Sequence, residues 1–114
     1  MDMVQINELA SKLGYEVHAM ANPAIQIAHG YTGDLLSDVM GNASEDSVLI
    51  TIQAHKNTVA VASLIGIRAI VLCNGRTPTE DMIQAANQES VAILGTDDTQ
   101  FTASWRIARL IGAS

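Results

Sequence analysis

"SVLITIQAHKNTVAVASLIGIRAIVLCNGRTPTEDMIQAANQESVAILGTDD" (residues 47–98) decides the fold. Three short apolar runs stand in it, "SVLITIQ" (47–53), "RAIVLCN" (68–74) and "SVAILG" (90–95). They are rich in Val and Ile and have no polar alternation, which is the pattern of strands covered on both faces. Between them lie segments of helical period: "NTVAVASLIG", with Asn57 as cap and Gly66 as stop, and "TPTEDMIQAANQ". In the second, Thr77, Pro78 and Glu80 fit the cap, N1 and N3 positions of a capping box. Strands joined by helices of this size imply right-handed crossovers and a parallel sheet.

Outward from this core, "DTQFTASWRIARLIG" closes the chain as a helix, with Asp98 or Thr99 as cap. Its expected inner face is Phe101, Ser104, Trp105, Ala108 and Ile111. On the N-terminal side, "MVQINELASKLG" places Val4, Ile6, Leu9, Ala10 and Leu13 mostly on one helical face, and Gly14 ends it. "YEVHAM" (15–20) and "IQIAHGY" (25–31) read as strands, separated by a turn at Asn22-Pro23. "TGDLLSDVMG" reads as a helix capped by Thr32, with Asp34 in its first turn and Gly41 at its end. The expected architecture is a three-layer α/β sandwich with a mostly parallel central sheet, the first half adding a smaller mixed layer. The chain, 1–114, is read as a single domain.

Composition narrows the function. With 12 acidic and 6 basic residues the net charge is −6, and no Lys/Arg cluster exists. That argues against nucleic acid and against anionic membrane surfaces as partners. The lone cysteine, Cys73, excludes an internal disulfide and fits a cytoplasmic location. Ending an apolar run, Cys73 reads as a buried structural thiol. The N-terminus lacks the basic and apolar regions of a secretory signal. There is no Gly-x-Ser-x-Gly, no Walker phosphate loop, no Cys-x-x-Cys and no His-x-x-His. A catalytic centre, a metal site and a resident cofactor are therefore not expected.

In an open parallel sheet, ligands bind beyond the carboxyl ends of the strands. Three ends are legible: Gln53, His55, Lys56 and Asn57; Cys73, Asn74, Gly75, Arg76 and Thr77; Gly95, Thr96, Asp97, Asp98 and Thr99. Each leads into a helix N-terminus, which offers free N–H groups and partial positive charge. The candidate ligand-binding residues are His55, Asn57, Asn74, Arg76, Thr96, Asp97 and Thr99, for a nucleotide or other small anionic metabolite. Arg76 is the best anion contact. Each loop can equally do no more than cap its own helix. A hydrolytic or phosphotransfer enzyme using His55, Arg76 and Asp97 is the catalytic alternative. Leu35, Leu36, Val39 and Met40 on the apolar helix 32–41 mark a candidate dimer interface.

From Gly30 to Phe101 the chain resembles the DRTGG domain family, in its short stand-alone form. The matching residues are Gly30-Tyr31, then "DLLSDVM" (34–40), then "TIQAH" (51–55) with Asn57. The family's name-giving signature is not kept: "NPAIQIAHG" (22–30) stands there, with Ala28 and His29 at the Thr and first Gly positions and only Gly30 in place. The family is similar to the N-terminal domain of HPr serine kinase/phosphorylase, and its domains occur beside CBS domains in regulated pyrophosphatases and within long phosphotransacetylases. The resemblance implies a non-catalytic regulatory or assembly module, commonly a homodimer. It also implies a second role, as a protein-binding accessory subunit of an anaerobic hydrogenase or other redox complex.

Overall fold

The computed structural model of the chain describes residues 3–112. Seven strands and five helices follow in the order β1 (Val4–Gln5), α1 (Ile6–Leu13), β2 (Glu16–Ala19), β3 (Gln26–Ile27), β4 (His29–Thr32), α2 (Leu36–Asn42), β5 (Ser47–Thr51), α3 (Lys56–Ile65), β6 (Ala69–Leu72), α4 (Glu80–Glu89), β7 (Ala92–Gly95) and α5 (Gln100–Leu110). A five-stranded sheet in the order β2-β7-β6-β5-β4 forms the centre, and β1 pairs with β3 in a small second sheet. In the five-stranded sheet β4, β5, β6 and β7 run parallel and β2 is antiparallel. Every residue of β5, β6 and β7 is buried, as their unbroken apolar runs require.

Because both faces are covered, the core divides in two. On one face, Leu9, Ile25, Ile27, Val48, Val71, Leu94, Ala103 and Ile107 pack among α1, α5 and the small sheet. On the other, Val39, Leu49, Val59, Ile70, Met82 and Ile93 pack under α2, α3 and α4. The alternation along each strand sends successive side chains to opposite layers. This is the three-layer α/β sandwich with a mostly parallel sheet that the 47–98 pattern implies.

Several local boundaries differ from the sequence expectation. Val4 does not belong to the first helix: it pairs with Ile27 in the small sheet. The single strand expected over 25–31 is broken at Ala28, where the chain passes from the small sheet to the central one, and both Ala28 and His29 N–H donate to the Asp46 carbonyl. Thr32 ends β4 instead of capping α2, whose cap position is Leu35 without a side-chain bond. Gly41 lies inside α2, and Ala43 follows its end. Asn57 is inside the first turn of α3, with His55 at the cap. Thr79, not Thr77, caps α4 by accepting from the Met82 N–H.

The C-terminal helix is rotated from its expected face. Ala103 and Ile107 meet the sheet, while Phe101 and Trp105 stay 79% and 49% exposed. The sheet under α5 already carries Val48, Ile50, Val71 and Leu94. Small Ala103 lets the helix approach that surface, and an aromatic side chain at the same depth would not pack there.

Candidate functional site

Adjacency of β4, β5, β6 and β7 brings their carboxyl ends to one rim. The loops there are tied to one another by backbone bonds. Asn74 N–H donates to the Asp98 carbonyl and Gly75 N–H to the Thr96 carbonyl, both at 2.9 Å. Cys73 N–H reaches Thr51, and Thr96 N–H reaches Leu72, both at 3.0 Å. The amides of the strand-end loops themselves are therefore paired within the protein. Asn74 and Gly75 both have positive φ, 58° and 68°, which makes the tight bend that lets the two loops meet.

A cleft of about 360 Å³ opens at this rim between the β6–α4 loop, the β7–α5 loop and β2. Arg76, Thr96 and Asp97 line it, as the strand-end positions suggested. His55 and Asn57 do not: both are exposed, and neither lines the cleft. The reason is topological, because the cleft lies at the β7 side of the rim and β5 stands on the far side of β6. A catalytic set of His55, Arg76 and Asp97 is thus not gathered in this cleft. Asn74 contributes its backbone to the loop but no lining, and Thr99 caps α5 by accepting from the Thr102 N–H at 3.2 Å.

The remaining walls come from residues that sequence spacing left unmarked. Tyr15, just after α1, donates its hydroxyl to Asp98 Oδ2 at 2.7 Å. Arg106 Nη1 donates to the same oxygen at 2.7 Å, and its Nη2 reaches the Leu13 carbonyl at 3.2 Å. The guanidinium also lies over the Tyr15 ring, 5.5 Å from its centre. Burial and the Asp98 hydrogen bond push the Tyr15 hydroxyl well above its ordinary range. Burial alone would raise the Asp98 carboxyl, but the Tyr15 and Arg106 hydrogen bonds outweigh it and hold it below the usual range. The triad forms a wall in which the Asp98 charge is already paired with Arg106. Its partners are 83 and 8 residues away from Asp98 in the chain, so no local motif could reveal it.

Two glycines let side chains of the cleft approach the backbone closely. A Cβ at Gly75 would stand 3.0 Å from Asp97 Oδ1, and one at Gly95 would stand 2.5 Å from His18 Nε2. His18 thus lies directly against the β7 backbone at the cleft floor, with Glu16 beside it, 3.7 Å away. Outside the triad the cleft holds Arg76, Asp97 and Glu16, so it mixes one cation with two carboxylates.

Asp34 is a second hub on the rim. It accepts from the Thr51 hydroxyl at 2.9 Å, from Ile52 N–H at 3.0 Å and from Gln100 Nε2 at 3.1 Å. Burial opposes its ionisation, yet these bonds and the nearby Arg76 charge bring its carboxyl below the ordinary value. Asp34 therefore ties the end of β4 to β5 and to the start of α5. Sequence reading made it a helix first-turn residue, and its actual role depends on Gln100, 66 residues away.

Cys73 is fully buried among the α5-side core residues, and burial raises its thiol to about 11. That matches a structural thiol. Val39 is fully buried as well and presents nothing to a partner, because it packs into the core under α2. Leu36 is half-buried, whereas Leu35 and Met40 are 67% and 45% exposed. Among the described residues no helix is long and apolar enough to cross a membrane, and no group of three or more His, Cys, Asp or Glu converges as metal ligands do.

Among solved structures, the chain is similar to the CBS and DRTGG domains of the regulatory region of a Clostridium perfringens pyrophosphatase, in complex with its activator diadenosine tetraphosphate. The TM-score is 0.72 and the identity 17%, over 94% of this chain and 45% of that one. The two share a fold. The chain spans less than half of that regulatory region. No protein-family model matches the chain, and no curated protein matches it.

Proposed function

We propose that the chain is a non-catalytic regulatory domain of DRTGG type, which takes a nucleotide in the cleft between β2, β6 and β7 and works as a homodimer. The observation that carries this reading is the cleft itself. It sits beyond the carboxyl ends of parallel strands, where α/β sheets accept ligands. A Tyr15–Asp98–Arg106 wall bounds it, and Arg76 offers a guanidinium outside any ion pair among the described residues. A guanidinium suits a phosphate, and the Asp97 carboxylate suits a ribose hydroxyl pair. The shared fold with a regulatory region bound to a dinucleotide activator supports the same class of ligand. Within the reading, the relation to the N-terminal domain of HPr serine kinase/phosphorylase rests on the sequence resemblance.

Charge limits the ligand. Arg76 is opposed by Asp97 and Glu16 in the cleft and by a net charge of −6 overall. A nucleoside with one engaged phosphate fits this balance better than a densely charged polyphosphate, and salt should weaken its binding. Titration calorimetry of the full chain with AMP, ADP, ATP and diadenosine tetraphosphate tests the reading. Replacing Arg76 with Ala should weaken binding about tenfold or more, since a charge-assisted contact contributes about 1.5–3 kcal/mol. Absence of heat and of amide shifts at millimolar nucleotide would refute nucleotide binding, and shifts confined to residues 18–34 would move the site elsewhere.

A further inference from the structure

The two edges of the central sheet are built differently. β2 carries Glu16 and His18, and its pairing with β7 changes register between Val17 and Ala19. Charge and irregularity of this kind keep a sheet edge from accepting another strand. β4 at the opposite edge is His29-Gly30-Tyr31-Thr32, with no Lys, Asp, Glu or Pro, and its register with β5 is unbroken. Three of its four residues are exposed.

The direction of its backbone groups follows from the bonds it makes. His29 N–H donates to the Asp46 carbonyl at 3.2 Å and Gly33 N–H to the Ile50 carbonyl at 3.1 Å. Within a strand the N–H and C=O of one residue point to the same side, and the side alternates. His29, Tyr31 and Gly33 therefore face β5, while Gly30 and Thr32 turn both groups to the open edge.

We propose that β4 pairs antiparallel with β4 of a second copy about a two-fold axis at Tyr31, joining two five-stranded sheets into one. The inference rests on the homodimer part of the function proposed above and is independent of the nucleotide. A second copy is the occupant because the edge is self-complementary. With Tyr31 on the axis, Gly30 lies opposite Thr32 of the other copy, and each exchanges N–H and C=O with the other, twice over. The axis stands normal to the sheet, so α5 meets α5 and α2 meets α2 across it.

Both flanks carry the apolar surface that such a contact would cover. On the α5 side a groove of about 210 Å³ lies between β4 and α5, lined by Gly30, Thr32, Ile50, Ala108 and Ile111. Phe101, the most exposed large apolar residue among the described residues, shares a helix face with Ser104 and Ala108 at i, i+3 and i+7. On the α2 side stand Leu35 and Met40. One isologous contact closes all of these at once.

Light scattering and cysteine cross-linking of the full chain test the pairing. Non-hydrogen-bonded partners in an antiparallel pair have Cα atoms about 4.5 Å apart, within the range a disulfide spans. Tyr31→Cys should therefore give a covalent dimer under mild oxidation, while Val17→Cys on the opposite edge should not, and buried Cys73 does not compete. Gly30→Lys has room for its Cβ, whose nearest neighbour would be 3.8 Å away. It should fold and raise the dimer dissociation constant at least about tenfold. Should that variant fail to fold by circular dichroism, the Tyr31→Cys cross-link alone decides. A dimeric wild type whose Tyr31→Cys variant gives no cross-link overturns the edge pairing and keeps the homodimer. A monomeric wild type at high micromolar concentration overturns both. A cross-linked dimer that binds no nucleotide sustains this inference and removes the cleft assignment instead.

Discussion

Removing the Tyr15 hydroxyl by Tyr15→Phe should destabilise the protein by about 1.5 kcal/mol at neutral pH. Tyr15 is buried, and its O–H donates at 2.7 Å to a carboxylate that Arg106 also holds. Hydrogen bonds to charged groups contribute about 1.5–3 kcal/mol. The lower end applies because Asp98 keeps Arg106 and is reached by water through the open cleft. Unfolding entropy of about 2.1 cal/mol/K per residue gives this 114-residue chain about 0.24 kcal/mol/K, so Tm should fall by about 6 °C. The pH dependence identifies the cause. The Asp98 carboxyl is lowered in the folded chain, so its contribution is complete above the unfolded value of about 3.9 and is lost as pH falls through the lower folded value. The Tyr15 hydroxyl is raised, so its contribution holds below about pH 10 and is lost as pH climbs toward the folded value. The difference between wild type and Tyr15→Phe should be flat from about pH 5 to 9 and shrink outside that window. Urea unfolding followed by circular dichroism across this range is the assay. A difference below about 0.5 kcal/mol at pH 7, or one of equal size at pH 3, would refute the hydrogen-bond account.

Replacing Cys73 with Ser should cost about 1–2 kcal/mol by burying a hydroxyl in the apolar core, and the native thiol should react with a maleimide only on the unfolding timescale. Gly95→Ala must displace His18, whose Nε2 would lie 2.5 Å from the new Cβ; a loss of about 1–3 kcal/mol by denaturant unfolding, with His18 resonances shifted by NMR, is expected. Asp34→Ala leaves the Ile52 N–H and the Thr51 hydroxyl without their acceptor and should cost about 2 kcal/mol, with faster hydrogen exchange at Ile52; unchanged exchange would show that the hub does not hold the rim together.

What the sequence determined by itself is the β-α-β-α-β core. The runs at 47–53, 68–74 and 90–95 have to be buried on both faces, and only a parallel sheet under helices buries them so. Cys73 follows from the same pattern, as does the strand-end position of Arg76, Thr96 and Asp97. The rest depended on which residues the fold brings together. Whether β4 or β2 flanks the core cannot be read locally, since a four-residue strand has little pattern of its own, and the break at Ala28 comes where the Ala28 and His29 amides both donate to Asp46, far along the chain. The expected inner face of α5 kept Ile111 but lost Phe101 and Trp105 to Ala103 and Ile107, because the sheet beneath it is already filled with large side chains, which favours Ala103 over Trp105. The cleft needed tertiary structure most of all. Its wall joins Tyr15, Asp98 and Arg106 and its floor joins His18 to Gly95, while the separate rim hub joins Asp34 to Gln100. Periodicity reports only on neighbours within a few positions. A polar residue held by a partner far along the chain leaves no such mark, because its pairing is set by strand order, and strand order is decided by the packing of the whole sheet.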